Sequence, residues 1–246
     1  MADQKNLKRK AVDHVHELFL SGKLRWGDLV SEEAIAKDIG ISRTPVREAL
    51  HIFTQMGVLQ RVPRYGTIVR TPELREFEEL FDVRRALECY AVEVAVSLIT
   101  AEELESLRGH CLGMRELLRG LGESSRLRLN TDEVLQMFQI DYDFHLAILQ
   151  ATGNRMLVKH INDNRVLARL MGTSRVPQLD VANIADICED HEAIVDAIGR
   201  HDRDSARKLL ADHIDLSKRG VVAYMKKQLN QIEQKEDDHG RLGLTF

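Results

Sequence analysis

At 246 residues, with 43% hydrophobic and 30% charged side chains, the chain is long enough for two domains and apolar enough to bury a core. It holds no run of 18 or more apolar residues and opens on a polar, charged stretch, which argues against a membrane span and for the cytoplasm. Cys89, Cys111 and Cys188 are too few and too scattered for a disulfide framework or a thiolate metal knuckle, and read as small buried side chains.

The predicted elements begin with an amphipathic helix over residues 5–21, with Leu7, Val12, Val15, Leu18 and Phe19 on one side. Lys5, Lys8, Arg9 and Lys10 cluster at its start as a solvated face within reach of phosphate. Ser31 opens a short helix that Gly40 ends, and Ser42 is placed to cap the next one. SEEAIAKDIGISRTPVREAL therefore reads as helix, tight glycine turn, helix. Pro45 is tolerated in a first turn, and Arg43, Thr44 and Arg47 lie at the end that a reading helix points into a DNA groove. Phe53 and Met56 continue the buried stripe to Gly57. VLQRVPRYGTIVR then gives two short strands around Pro63 to Gly66, a wing carrying Arg61, Arg64 and Arg70. Pro72 closes this unit. Residues 1–72 hold 12 Lys+Arg against 8 Asp+Glu, while residues 73–246 hold 23 against 31. A basic head on an acidic body points to a polyanion partner for the head alone.

Beyond Pro72 the spacing is helical throughout. The first helix covers residues 74–99, with Phe77, Leu80, Phe81, Leu87, Ala91, Val94, Ala95 and Leu98 on its stripe. Thr100 caps the second, with Glu103 completing a capping box. Residues 120–130 read as a polar linker. A third helix runs from Thr131 to Gly153 and a fourth from an Asn154 cap to about Met171; residues 172–180 form a loop around Pro177. A fifth helix over residues 181–200 and a sixth from about Asp204 past Tyr224 complete a bundle. The fold class expected is mainly α: a winged helix-turn-helix over residues 1–72, then an all-α bundle of six to seven helices over residues 73–246.

Four polar residues occupy positions that this pattern assigns to the core. Asp141 and His145 are i,i+4 neighbours on the third bundle helix, His191 lies on the fifth and His213 on the sixth. A single buried histidine is an ordinary hydrogen-bonded core residue, but four such groups without partners would cost several kcal/mol each, roughly. One divalent cation satisfies them together, with Zn foremost and Ni, Mn or Fe as alternatives. Four protein ligands could leave one or two positions open for an outside ligand. Asp143 falls on the opposite side of its helix. Arg84 breaks the stripe of the first bundle helix. It has two readings: an intrahelical pair with Glu88, or a guanidinium facing a cavity to bind a carboxylate.

Taken together, SRTPVREAL at 42–50, Gly66, VRRALE at 83–88, DYDFH at 141–145, ATGN at 151–154, HEAIVDAI at 191–198 and His213 resemble the GntR superfamily of bacterial transcription regulators. The likeness is to its FadR-type branch with an FCD ligand-binding domain. That resemblance implies a dimeric winged-helix repressor or activator, the repressor foremost, on a roughly palindromic double-stranded operator, and not an enzyme. It implies metal ligation by Asp141, His145, His191 and His213 and a small organic acid effector, for which Arg84, on its second reading, is the candidate contact. Operator contacts carried over are Arg43, Thr44, Arg47 and Gly66, with Arg64 of the wing beside them. Two other functions stay open: a metallohydrolase fused to a DNA-binding head, and a DNA-binding protein whose metal is purely structural.

Overall fold

The computed structural model describes residues 2–21, 23–161 and 181–238. The fourth bundle helix beyond residue 161 and the loop at 172–180 lie outside them. The elements run α1 (Ala2–Leu20), β1 (Leu29–Val30), α2 (Glu32–Ile39), α3 (Arg43–Gln55), β2 (Leu59–Val62), β3 (Gly66–Val69), α4 (Leu74–Leu98), α5 (Ala101–Glu123) and α6 (Thr131–Ala151). Residues 155–161 are helical (α7), followed by α8 (Val181–Gly199) and α9 (Arg203–Asp238).

In the head, Ser31 Oγ accepts from Ala34 N at 3.1 Å, and Gly40 ends α2 with φ 66°, the left-handed conformation that costs glycine least. Ser42 stands at the start of α3 but makes no side-chain cap, so the fit of this turn rests on packing instead. Val46, Ala49, Leu50 and Phe53 are buried against Ala11, Val15 and Phe19 of α1, with the Phe19 and Phe53 ring centroids 5.8 Å apart. Burying one such phenylalanine stabilises by about 1.5–3 kcal/mol, which fixes α3 on its platform. Lys10 of α1 donates to the Ile39 carbonyl at 2.9 Å, satisfying an orphan at the end of α2, so this lysine is engaged in capping the fold.

The wing forms as expected: β2 and β3 pair antiparallel, Leu59 opposite Val69 and Val62 opposite Gly66. A third strand, β1, pairs with β3 on its other side, giving the order β1-β3-β2. Two residues are too short to show alternation, which is why it was invisible in the sequence. Tyr65 N donates to Val62 O across the wing turn, where Arg64 takes φ 69°. A turn of this kind prefers glycine or asparagine there, so an exposed arginine at Arg64 is a local strain. Arg70, expected on the wing, turns inward instead. Its Nε donates to Gly57 O at 2.5 Å and its Nη1 to both Glu76 oxygens at 2.8 Å, tying the end of α3 to the first turn of α4.

The caps expected at Thr100 and Asn154 form, and Asn130 adds one that was not anticipated. Thr100 and Glu103 form a reciprocal box, as do Asn130 and Glu133, and Asn154 Oδ1 accepts from Met156 N and Leu157 N at 3.1 Å. The second bundle helix is longer than expected: α5 runs through Gly120 and Gly122 to Glu123, because fully buried Leu121 anchors it. On α4, Leu98 is exposed and Glu88 is buried, the reverse of what the apolar stripe suggested. On α9, Leu216 is exposed while Ile214, Val221 and Met225 face the core. All three cysteines are buried and free, and burial pushes the Cys111 thiol up to about 12 and the Cys188 thiol up to about 11, which leaves them unreactive. Two hydrophobic cores result, one within residues 11–69 and one within 77–225, and Trp26 packs against both. No described helix is long and apolar enough to cross a membrane.

Candidate metal centre

α4 packs against α6, α8 and α9, and the four helices bring Asp141, His145, His191 and His213 together. One ligand atom from each lies within 4.8 Å of the others. The three imidazoles are buried, with ring centroids 4.5–5.4 Å apart, and Asp141 keeps 29% of its side chain exposed. The centre therefore has a buried floor and one open side.

Two rings are hydrogen-bonded from behind, and the third lies close against a carboxylate. His191 Nδ1 donates to Ile187 O at 2.7 Å, His213 Nδ1 lies 3.2 Å from Asp190 Oδ2, and His145 Nδ1 lies 2.7 Å from Glu88 Oε2. All three partners are acceptors, so a neutral ring keeps its proton on Nδ1 and turns Nε2 toward the others. His145 Nε2 and His191 Nε2 then stand 3.5 and 3.3 Å from Asp141 Oδ1, itself an acceptor. Among the described residues, His191 Nε2 is buried with no hydrogen-bond partner. Lone pairs and a carboxylate aimed at one another are a donor set for a divalent cation, and carboxylate or carbonyl partners behind ligating histidines are the usual support for one. Zn, Ni, Mn or Fe fits these four groups; harder Mg or Ca does not.

Glu88 was read in the sequence only as a pair for Arg84, and Asp190 was not singled out at all. The signal for Glu88 was present: it follows Phe81 and Arg84 and precedes Ala91 at helical spacing on the buried face. Arg84 takes the first of its two readings, the intrahelical pair, and also reaches the cluster. Its Nε donates to Glu88 Oε1 at 2.7 Å, and its Nη2 lies 2.9 Å from His145 Nε2. Asp143 is outside the cluster and accepts from Gln139.

The electrostatics follow from burial and charge. Burial opposes ionisation of Asp141, yet His145 and His191 beside it hold its carboxyl well below the usual range. Burial, and then repulsion from His191, push His213 down to about 4. Its folded value thus lies below its unfolded value of about 6.5, and unfolding takes up a proton between the two. Metal-stripped protein is expected to hold its stability above pH 6.5 and to lose on the order of 2–3 kcal/mol as pH falls towards 4. Chemical denaturation in the presence of a chelator measures this; a flat profile over pH 4–6.5 contradicts the buried neutral ring.

In the head, Arg43, Thr44, Arg47, Arg64 and Gly66 are all exposed. Arg43 Nη2 lies 3.3 Å from Glu32 Oε2, and Arg47 donates to the same carboxylate through Nε at 3.1 Å and Nη2 at 2.9 Å. Hydrogen bonds from Arg47, ahead of the opposing effect of burial, hold the Glu32 carboxyl below its usual range. Glu32 was not anticipated. It holds the two reading-helix arginines side by side through exposed pairs, which are worth at most about 1 kcal/mol and exchange readily.

Residues 7–69 match the family described as bacterial regulatory proteins, gntR family, and residues 79–216 match the FCD domain. The chain is 28% identical over 221 residues to a probable D-xylose utilization operon transcriptional repressor of Paenarthrobacter nicotinovorans, covering 87% of this chain and 90% of that protein. It is 26% identical over 190 residues to a gluconate operon transcriptional repressor of Bacillus subtilis, covering 75% and 72%. Among solved structures, E. coli McbR/YncC aligns with a TM-score of 0.72 at 20% identity, over 91% of this chain and 98% of that one.

Proposed function

Since this chain belongs to the gntR family of bacterial regulatory proteins and carries an FCD domain, we propose that it is a cytoplasmic, homodimeric repressor whose operator affinity is set by a metal-bound organic acid. Family membership makes it a transcription regulator and not an enzyme. The finer reading divides the chain into a DNA-binding unit over residues 1–72 and a metal- and effector-binding unit over residues 73–246, which the two separate cores support. Arg43, Thr44 and Arg47 reach the major groove from α3, while Arg64 and Gly66 follow the backbone from the wing. The strained φ of Arg64 supports that role, since unfavourable backbone is kept where a side chain is needed. A dimer is required because one short helix buries too little for tight operator recognition.

A single observation carries the effector reading. Asp141, His145, His191 and His213 converge beside the Arg84 guanidinium on one partly open side. Once bound there, a divalent ion supplies a Lewis-acidic contact for an oxygen anion. This chain's own part is to hold the three rings by Nδ1 and to offer Arg84 to a second oxygen. One relative is named for a gluconate operon, which supports a sugar acid as the effector class, beside small hydroxy- and dicarboxylates.

The test is to select binding sites for the intact protein from random duplexes, then titrate the selected DNA with and without zinc and a panel of gluconate, lactate and succinate. A roughly palindromic site is expected, with one class of acid changing affinity about 5–150-fold in the zinc-loaded protein only. An acid response that survives full metal removal would reduce the metal to a structural part, and no specific site under any condition would remove the regulator reading.

A further inference from the structure

Arg84 makes a contact that the metal reading leaves unexplained. A guanidinium has donors only, so in the 2.9 Å contact between Arg84 Nη2 and His145 Nε2 the ring nitrogen accepts. His145 Nδ1 already faces Glu88 Oε2 at 2.7 Å, so Nε2 is the nitrogen this ring offers to the centre. The lone pair that Arg84 takes is therefore the one a metal would need. Charge gives the same result independently. Glu88 is 1% exposed and Asp141 belongs to the same cluster, two carboxylates in a buried setting, and Arg84 is the fixed cation that the charges of both act upon. Buried carboxylates without a cation are costly.

We infer that Arg84 is the resident counter-ion of this centre: its guanidinium and the metal are alternative occupants of His145 Nε2, with the Arg84 Nε to Glu88 Oε1 bond as the pivot between them. The inference rests on the metal reading above and deepens it. Without metal, the guanidinium pairs with Glu88, offsets part of the negative charge of Asp141, and supports the folded bundle. Metal binding takes the His145 lone pair and frees an Arg84 N–H, which becomes available to an anionic ligand. Metal before acid is the order this favours, since metal binding releases the Nη2 donor that faces the centre.

Zinc affinity of the intact protein, measured by competition with a chromophoric chelator, tests this in wild type, Arg84→Met, Arg84→Lys and His191→Ala. Arg84→Met keeps the apolar stem without the charge and is expected to bind zinc at least tenfold more tightly than wild type. Arg84→Lys keeps the charge without the fork and is expected to tighten binding at least threefold. In thermal melts with chelator, Arg84→Met should melt below wild type, and zinc should raise its melting temperature by more than it raises that of wild type. Zinc binding by wild type that is equal or stronger than in Arg84→Met overturns the inference. So does tightening in Arg84→Met with none in Arg84→Lys, which leaves only distant charge repulsion. Should Arg84→Met fail to fold without zinc, Arg84→Lys alone decides by the same threefold criterion. Failure of wild type, Arg84→Met and Arg84→Lys all to bind zinc is a different result, since it removes the metal reading and the inference with it.

Discussion

Replacing His191 and His213 together by alanine is expected to abolish metal retention, from about one ion per chain to a trace by elemental analysis after gel filtration. Both rings come from helices other than the one carrying Asp141 and His145, so only the i,i+4 pair on α6 is left to hold an ion. The groups behind the rings set a graded control. Asp190→Asn keeps the shape beside His213 but loses the carboxylate, and mutations at such partners typically cost about 10–100-fold in metal affinity. The order expected is therefore double variant far below Asp190→Asn, and Asp190→Asn below wild type. Equal metal content in the double variant and wild type would refute the four-residue assignment. The head should be unaffected, because its core of residues within 11–69 shares no buried residue with the bundle core.

The second large effect is expected on DNA. Arg47→Ala should weaken binding to a selected operator by about 1–3 kcal/mol, roughly 5–150-fold, if its fork pairs with guanine. On random duplex the loss should be much smaller, and fluorescence anisotropy with both DNAs separates the two. Equal losses on both would make Arg47 a phosphate contact. Glu32 complicates the variant in a useful way. Arg43 and Arg47 share its carboxylate, so Arg47→Ala leaves Arg43 as its sole partner among the two, and the double variant is not expected to be additive.

Much of this was legible in the sequence, where local chemistry speaks for itself. Ser31, Gly40 and the Pro63–Gly66 turn carry their own conformational signatures, and the helix-turn-helix and wing follow from them. The four metal candidates were legible because polar residues on an apolar stripe contradict the pattern. What was hidden depends on partners far away in the chain. Glu88 looked like half of a local pair with Arg84, and only the packing of α4 against α6 gives it His145. Asp190 carried no local signal, and only the packing of α9 brings His213 to it. Gly120 and Gly122 read as a helix stop, and the burial of Leu121 overrode them. Arg70 looked like one more wing cation, since nothing local announces that Glu76 lies within its reach.

Arg70 has a mechanical consequence. Glu88 and Glu76 belong to one continuous helix, about 18 Å apart along its axis at 1.5 Å per residue. α4 is thus a lever with the candidate metal centre at one point and the Arg70 clasp at its tip. A tilt of about 5° pivoting at Glu88 displaces the tip by roughly 1.5 Å. Charge-assisted bonds of 2.8 Å do not stretch that far; their strength falls steeply and the clasp opens. A joint that lets go instead of yielding carries small movements of α4 to the end of α3 and uncouples the two at large ones, so a large tilt would release the reading helix in one step.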